Sequence, residues 1–322
     1  MSNIVSKSSI LILGGSYFIG RKIAEVFEEY GYSVSILNRG TKPLTSLNIE
    51  QITCDRNDTE CMKKALNDRR FDCVVDVSFK DSSWVENLCD TLDFETVKSF
   101  VFISTSAVYD IENLKIPFKE NDKLAENKYW TSYGLEKINA EKYYTDYFAS
   151  MNTRLIILRP PYIYGENNYA KRESLIFKHI CESNPIIIPK TNPKLQFIYT
   201  DDLAKIINHL FKNNASGTFN VGNKKSMTAR DWVNACAKVV DKKVKIIECD
   251  YKSLNRNVRD FFPFFDYDNV LDVRKINSIF NEETPIETGL SNAYKWFLDN
   301  KSQIAFKENI EKNICEILAK SN

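Results

Sequence analysis

The apolar positions of the first 160 residues fall into short runs separated by amphipathic stretches. Ile10 to Leu13 form a run of strand length. Gly14 and Gly15 end it, and Ser16 stands where a following helix needs its cap. Ile19, Ile23, Val26, Phe27 and Tyr30 then recur at helical spacing, with Arg21, Lys22, Glu25, Glu28 and Glu29 on the other side. Gly31 ends that helix. Tyr32 to Leu37, Ile49 to Cys54, Phe71 to Val77, Ser99 to Ile103 and Arg154 to Leu158 read as five further strands. Between them Asp58 caps a short helix reaching Leu66, Ser82 to Leu92 is helical, and Tyr129 to Phe148 make a long helix.

Strands that alternate with helices predict an α/β fold: a doubly wound parallel sheet with helices on both faces. Right-handed crossovers place every strand's C-terminal end on one edge, where ligands bind. Gly14–Gly20, Asn38–Arg39, Asp55, Val77–Lys80, Ser104–Ser106 and Arg159–Tyr162 are expected along that crevice.

Beyond Tyr162 the alternation loosens at Asn184-Pro185, Ile188-Pro189 and Asn192-Pro193. The reading is a dinucleotide-binding domain over 1–162, rejoined by segments near 196–222. A smaller substrate lobe over the crevice takes 163–195 and 223–300, and 301–322 form a C-terminal helix packed on the body. Ile310, Ile314, Ile317 and Leu318 share that helix's apolar face. Asp201-Asp202 are expected to cap a helix beginning near Leu203, and Phe261 to Phe265 (F-F-P-F-F) to pack in a core.

Composition narrows the class. The 322 residues carry 43% hydrophobic and 27% charged side chains, as globular chains do, and a net charge of +1 provides no global field for nucleic acid or anionic membrane. The 8 cysteines are scattered without C-x-x-C and the histidines are only 2, His179 and His209, so no metal site is expected. The first residues lack the long apolar region of a signal peptide, and no apolar segment reaches membrane-spanning length; a cytoplasmic location is expected.

The chemistry starts from the glycine turn. Backbone N–H groups at a strand–glycine–helix junction, aided by the helix dipole, hold a phosphate. Gly14 and Gly20 occupy the first and last positions of a dinucleotide fingerprint, with Tyr17 at the middle one. Further on, Tyr133 and Lys137 lie one helical turn apart, and an ammonium there favours the phenolate. Thr105 follows the fifth strand. A hydroxyl, a tyrosine and a lysine beside a dinucleotide support hydride transfer.

These segments resemble the extended short-chain dehydrogenase/reductases, the NAD-dependent epimerase/dehydratase family. The likeness rests on G-G-S-Y-F-I-G (14–20), F-I-S-T-S-A-V-Y (102–109), Y-G-L-E-K (133–137), R-P-P-Y-I-Y-G-E-N (159–167), Q-F-I-Y-T-D-D-L-A (196–204) and F-N-V-G-N (219–223). L-D-V-R-K-I (271–276) and E-T-G-L (287–290) follow more loosely. The resemblance implies an oxidoreductase or epimerase acting on a nucleotide sugar or a related hydroxyl or carbonyl substrate. In it Thr105 orients the reacting oxygen, Tyr133 is the acid/base and Lys137 tunes it. Gly14, Gly15, Ser16, Tyr17, Phe18, Ile19, Gly20, Asn38, Arg39, Asp55, Ser78, Phe79, Ser104 and Pro160 join Tyr133 and Lys137 as cofactor contacts. Tyr162, Arg256 and Arg259 are substrate candidates, the arginines for a diphosphate. Ser106-Ala107 replace the Asp-Glu of the family's dehydratases, which disfavours 4,6-dehydration. Asn38-Arg39 replace the acidic residue that holds the ribose of NAD, and Arg39 suits the 2′-phosphate of NADP; a solvent-facing loop arginine is the alternative. The family's dimers make a homodimer an expectation. Tyr17, L-N-R-G (37–40) and C-D-R-N-D (54–58) resemble the branch that includes chloroplast stem-loop-binding proteins, which implies RNA binding as an alternative to catalysis.

Overall fold

The computed structural model describes residues 7–41, 48–306 and 308–320; residues 1–6, on which the reading of the N-terminus partly rests, lie outside them. The chain divides into two compact units: Met1–Pro161 with Thr200–Gly222 and Leu271–Glu282, and Tyr162–Tyr199 with Asn223–Val270 and Glu283–Asn322.

The first unit is built on a seven-stranded parallel sheet. Its strands are β1 (Ser9–Leu13), β2 (Ser33–Asn38), β3 (Ile49–Thr53), β4 (Cys73–Asp76), β5 (Ser99–Ile103), β6 (Arg154–Arg159) and a last strand, Gly217–Asn220. They lie in the order β3-β2-β1-β4-β5-β6 and then Gly217–Asn220. The winding reverses between β1 and β4, the point where such sheets bind ligands. Leu13 stands opposite Leu37 and Asp76, Asp76 opposite Phe102, and Ile103 opposite Leu158, so the C-terminal strand ends share one edge.

Burial explains the apolar runs. Ile10, Leu11, Ile12 and Leu13 are fully buried, as strands covered on both faces must be. Leu11, Leu13, Val74, Phe100 and Phe102 join one core with Met62 and Leu66 of α2 (Thr59–Leu66), Val85 and Leu88 of α3 (Ser82–Thr91), and Tyr144 and Phe148 of α4 (Ser132–Phe148). The first helix, α1 (Phe18–Glu29), packs against Thr200–Lys212.

Several local expectations shift. Tyr17, not Ser16, is the N-cap of α1, and it gives no side-chain cap bond. Tyr30 follows the helix, is 46% exposed and lies under the Lys212 ammonium at 4.8 Å. The long helix begins at Ser132 rather than Tyr129. Asn127 Oδ1 accepts from the backbone N–H groups of Tyr129 and Trp130, and Thr131 takes a left-handed conformation (φ 44°), so the chain turns before it can wind. Asp201 and Asp202 stand inside the first turn of Thr200–Lys212 instead of capping it, where an acidic residue still suits the helix dipole. Asp58 does cap α2, accepting from Cys61 N–H at 2.9 Å.

The second unit has an aromatic core, with Phe197 stacked on Trp232 at 3.6 Å and Phe261, Phe262 and Phe264 buried. Its last helix, Glu308–Lys320, buries Ile314 and Ile317. Among the described residues no helix is long and apolar enough to cross a membrane.

Candidate dinucleotide and catalytic site

The glycine turn is set by close approach. Gly14 has φ 94°, and a Cβ there would come within 2.5 Å of Ser78 Cβ; a Cβ on Gly20 would come within 2.4 Å of the Gly14 carbonyl oxygen. Tyr17 is extended (φ −147°), so the backbone accepts a side chain at this position; the left-handed conformation falls on Phe18 (φ 47°). The exits of β1 and β4 and the first turn of α1 therefore converge, with backbone N–H groups at a helix N-terminus.

Beside this turn lies a cavity of about 180 Å³ lined by Gly14, Ser16, Asn38, Arg39, Asp55, Arg56, Ser78 and Trp84. Asn38 Oδ1 accepts from Gly40 N–H at 2.7 Å, while its Nδ2 is buried with no hydrogen-bond partner among the described residues. An orphaned donor at the end of β2 fits a ribose or phosphate oxygen, so the residues present suit a dinucleotide. Arg39 is exposed. Asp55 Oδ1 accepts from the backbone and side-chain nitrogens of Asn57 at 3.0 and 2.7 Å; those bonds, with Arg39 and Lys80 adding attraction, hold the carboxyl below its usual range.

Sequence reading missed Arg56. It is buried against Asp76, with Nη1–Oδ1 at 2.7 Å and Nη2–Oδ2 at 3.1 Å, and it also donates to the Ser78 carbonyl and, at 3.2 Å, to the Ser78 hydroxyl. Tyr144 donates to Asp76 Oδ2 at 2.8 Å. The available signal was an Asp closing an otherwise apolar strand, F-D-C-V-V-D, beside the arginine of C-D-R-N-D.

The catalytic candidates gather at β5 and α4. Thr105 opens the short 3-10 turn Ser106–Val108, and its Oγ1 accepts from Ala107 N–H at 3.2 Å, leaving the O–H able to donate. Gly134 lets α4 press against that turn: a Cβ would lie 2.6 Å from the Ala107 carbonyl oxygen, which also accepts from Asn127 Nδ2 at 2.8 Å. Tyr133, in the first turn of α4, is thus brought beside the Thr105 segment; it is 45% exposed, with its ring 5.8 Å from Trp130. One turn on, Lys137 is buried. Its Nζ donates to the Ile103 carbonyl at 2.7 Å and lies 4.5 Å from the rings of both Phe79 and Phe102. Burial takes the amine down to about 7, against the pull of Asp76 and Glu141, with Arg56 adding to the fall. The ammonium expected from sequence is thus only partly populated at neutral pH.

Other candidates have different partners. The Ser104 hydroxyl donates to buried Glu141, which also holds Arg159 through Nε at 3.0 Å and Nη2 at 2.5 Å. The Pro160 carbonyl accepts from Ser106 N–H at 2.8 Å. In the second unit Arg256 binds Asn313 at 2.9 Å and pairs with Glu316, so it anchors the last helix rather than standing ready for a diphosphate. Tyr162 is buried, and its Oη accepts from Phe265 N–H at 3.3 Å. Arg172, absent from the sequence reading, lies over the Tyr162 ring at 5.2 Å, with a buried Nε that has no hydrogen-bond partner among the described residues. Arg259 lies over Phe265 at 5.1 Å and donates to the Pro263 carbonyl. Desolvation, then the charge of Arg172, lowers its pKa. No carboxylate pairs with either arginine among the described residues.

A parallel sheet wound in this order, with a glycine turn at its switch point, defines a Rossmann-type dinucleotide-binding protein. Residues 10–222 match the profile of the NAD dependent epimerase/dehydratase family, and the chain belongs to that family. It is 25% identical over 309 residues to the chloroplast stem-loop binding protein of 41 kDa b of Arabidopsis thaliana, covering 90% of this chain and 79% of that one. In fold it is similar to the UDP-N-acetylglucosamine 4-epimerase of Methanobrevibacter ruminantium, solved with UDP-N-acetylmuramic acid (TM-score 0.74, 20% identity, 93% and 100% of the two chains). It is also similar to WbmH of Bordetella bronchiseptica, solved with NAD+ (TM-score 0.73, 18% identity, 91% and 99%).

Proposed function

We propose that the chain is an NAD(P)-dependent oxidoreductase or epimerase acting on a nucleotide sugar or a related hydroxyl or carbonyl compound. The bound dinucleotide supplies a hydride acceptor and donor. Gly14 to Gly20 hold its diphosphate, Asn38 and Arg39 its ribose, with NADP favoured by the positive charge of Arg39, and Asp55 accepts from the adenine amino group. Thr105 donates its O–H to the reacting substrate oxygen, and Tyr133 Oη takes and returns that group's proton. Lys137 holds the Ile103 carbonyl and favours the Tyr133 phenolate when protonated. Within the second unit, Arg172 and Arg259 beside Tyr162 form a cationic group that suits an anion such as a diphosphate. Ser106 and Ala107, both buried, provide no carboxyl for eliminating water, so 4,6-dehydration is not the proposed reaction.

The observation that supports this most is Gly134. It packs the first turn of α4, which carries Tyr133, on the short turn that Thr105 opens. The test is interconversion of UDP-glucose or UDP-N-acetylglucosamine, with NAD and NADP supplied separately. Tyr133→Phe is expected to lower turnover by about 10²–10⁴-fold while dinucleotide binding is kept. Unchanged turnover in that variant would sink the mechanism, and tighter NAD than NADP binding would overturn the cofactor preference.

A second reading, RNA binding on the same fold, is favoured by one observation: the relative that covers 90% of this chain is named a stem-loop binding protein.

A further inference from the structure

Trp84 lines the cavity beside the glycine turn, yet neither the motif nor the proposed catalytic set uses it. Its indole is half-buried and restrained by two contacts, and its backbone by a third. Nε1 donates to Asn57 Oδ1 at 2.9 Å, the Arg56 guanidinium carbon lies 4.7 Å from the ring centroid, and Arg56 Nη2 reaches the Trp84 carbonyl at 3.4 Å. Each restraint is itself anchored. Asn57 is oriented by Asp55, and Arg56 is locked by Asp76 and Ser78. Asn87, one helical turn beyond Trp84, donates to the Arg56 carbonyl at 3.2 Å and accepts from Thr59 at 3.0 Å, tying α3 to α2. Both terminal nitrogens of Arg56 are engaged in this way, so the guanidinium acts as a support under the ring rather than as a phosphate ligand.

We propose that Trp84 is the stacking wall of an adenine subsite, pinned by Asn57 and Arg56, and that it makes the cavity selective for adenine over a pyrimidine. The inference rests on the dinucleotide reading above and extends it to base recognition. A ring already held in place loses little rotamer freedom when a base arrives. A purine offers the indole more stacking area than a pyrimidine does. Asp55, whose Oδ1 holds Asn57, belongs to the same cavity and accepts from an exocyclic amine, which adenine has at the position where guanine carries a carbonyl.

The test is calorimetric titration of the full chain with ADP, UDP and NAD+. The wild type should bind ADP more tightly than UDP. Trp84→Ala should weaken ADP about tenfold and UDP far less, and Trp84→Phe should recover most of the loss. Asn57→Ala leaves the indole but frees it, and ADP should weaken by about threefold. In the wild type, ADP should quench tryptophan emission, and that quenching should vanish in Trp84→Phe. If the wild type binds ADP and NAD+ and Trp84→Ala binds ADP within twofold of it, the stacking wall is wrong while the dinucleotide reading stands. Wild-type chain that binds neither overturns both.

Discussion

Lys137 shows what a single residue's surroundings do. Tyr-x-x-x-Lys spacing puts it one turn from Tyr133, and the spacing alone predicts a charged amine. Burial against Phe79 and Phe102 instead brings the amine to about 7. An unfolded lysine titrates near 10.4, so between about 7 and 10.4 the unfolded chain binds the extra proton and this residue's contribution to stability rises with pH. Below about 7 both states are protonated and the burial penalty is complete; above about 10.4 both are neutral and it is gone. The stability of wild type minus that of Lys137→Met, from urea unfolding at pH 7 to 10, should climb by up to about 1.4 kcal/mol per pH unit. A flat difference would show that the amine is not desolvated. At the same scale, Arg256 was readable as a diphosphate ligand only until Glu316 and Asn313 were seen beside it.

Elements carry the legible part of the chain. The six strands of the first unit that were read from the sequence lie within two residues of their expected bounds; β1, β4 and β5 are covered on both faces and carry nearly continuous apolar sequence, whereas β3 at the sheet edge buries only Ile52. β5 and α4 meet in that layer through tilted rings. Phe100 is fully buried and packs at 4.6 Å on Tyr144 and 5.1 Å on Phe148. Phe100→Ala should destabilise the protein by about 3–5 kcal/mol, read as a lower urea midpoint. A loss below about 1 kcal/mol would mean the layer collapses into the space. The start of α4 was less legible, since Asn127 and Thr131 set it by turning the chain rather than by any change in apolar spacing.

At the scale of the whole molecule, charge separates the two readings of function. A net charge of +1 provides little general attraction for a polyanion. In a mobility-shift titration with a stem-loop RNA, no retarded complex is expected at about 0.15 M salt. A complex whose affinity falls steeply with log salt would carry the RNA reading instead. The return of Leu271–Glu282 to the first unit is also visible only at this scale, because so short a segment bears no local mark of where it packs.

The sequence by itself determined the alternation of strands and helices, the glycine turn after β1, and the family to which the chain belongs. Those features follow from short-range spacing: apolar period, glycine at a turn, and residues one helical turn apart. Only the tertiary structure decided that Arg56 pairs with Asp76, that Lys137 is desolvated, that Arg256 anchors a helix, and that Trp84 is pinned beside the glycine turn. Desolvation and ion pairing depend on which atoms meet across long stretches of chain, and those distances arise when the sheet order and the packing of α2, α3 and α4 are complete.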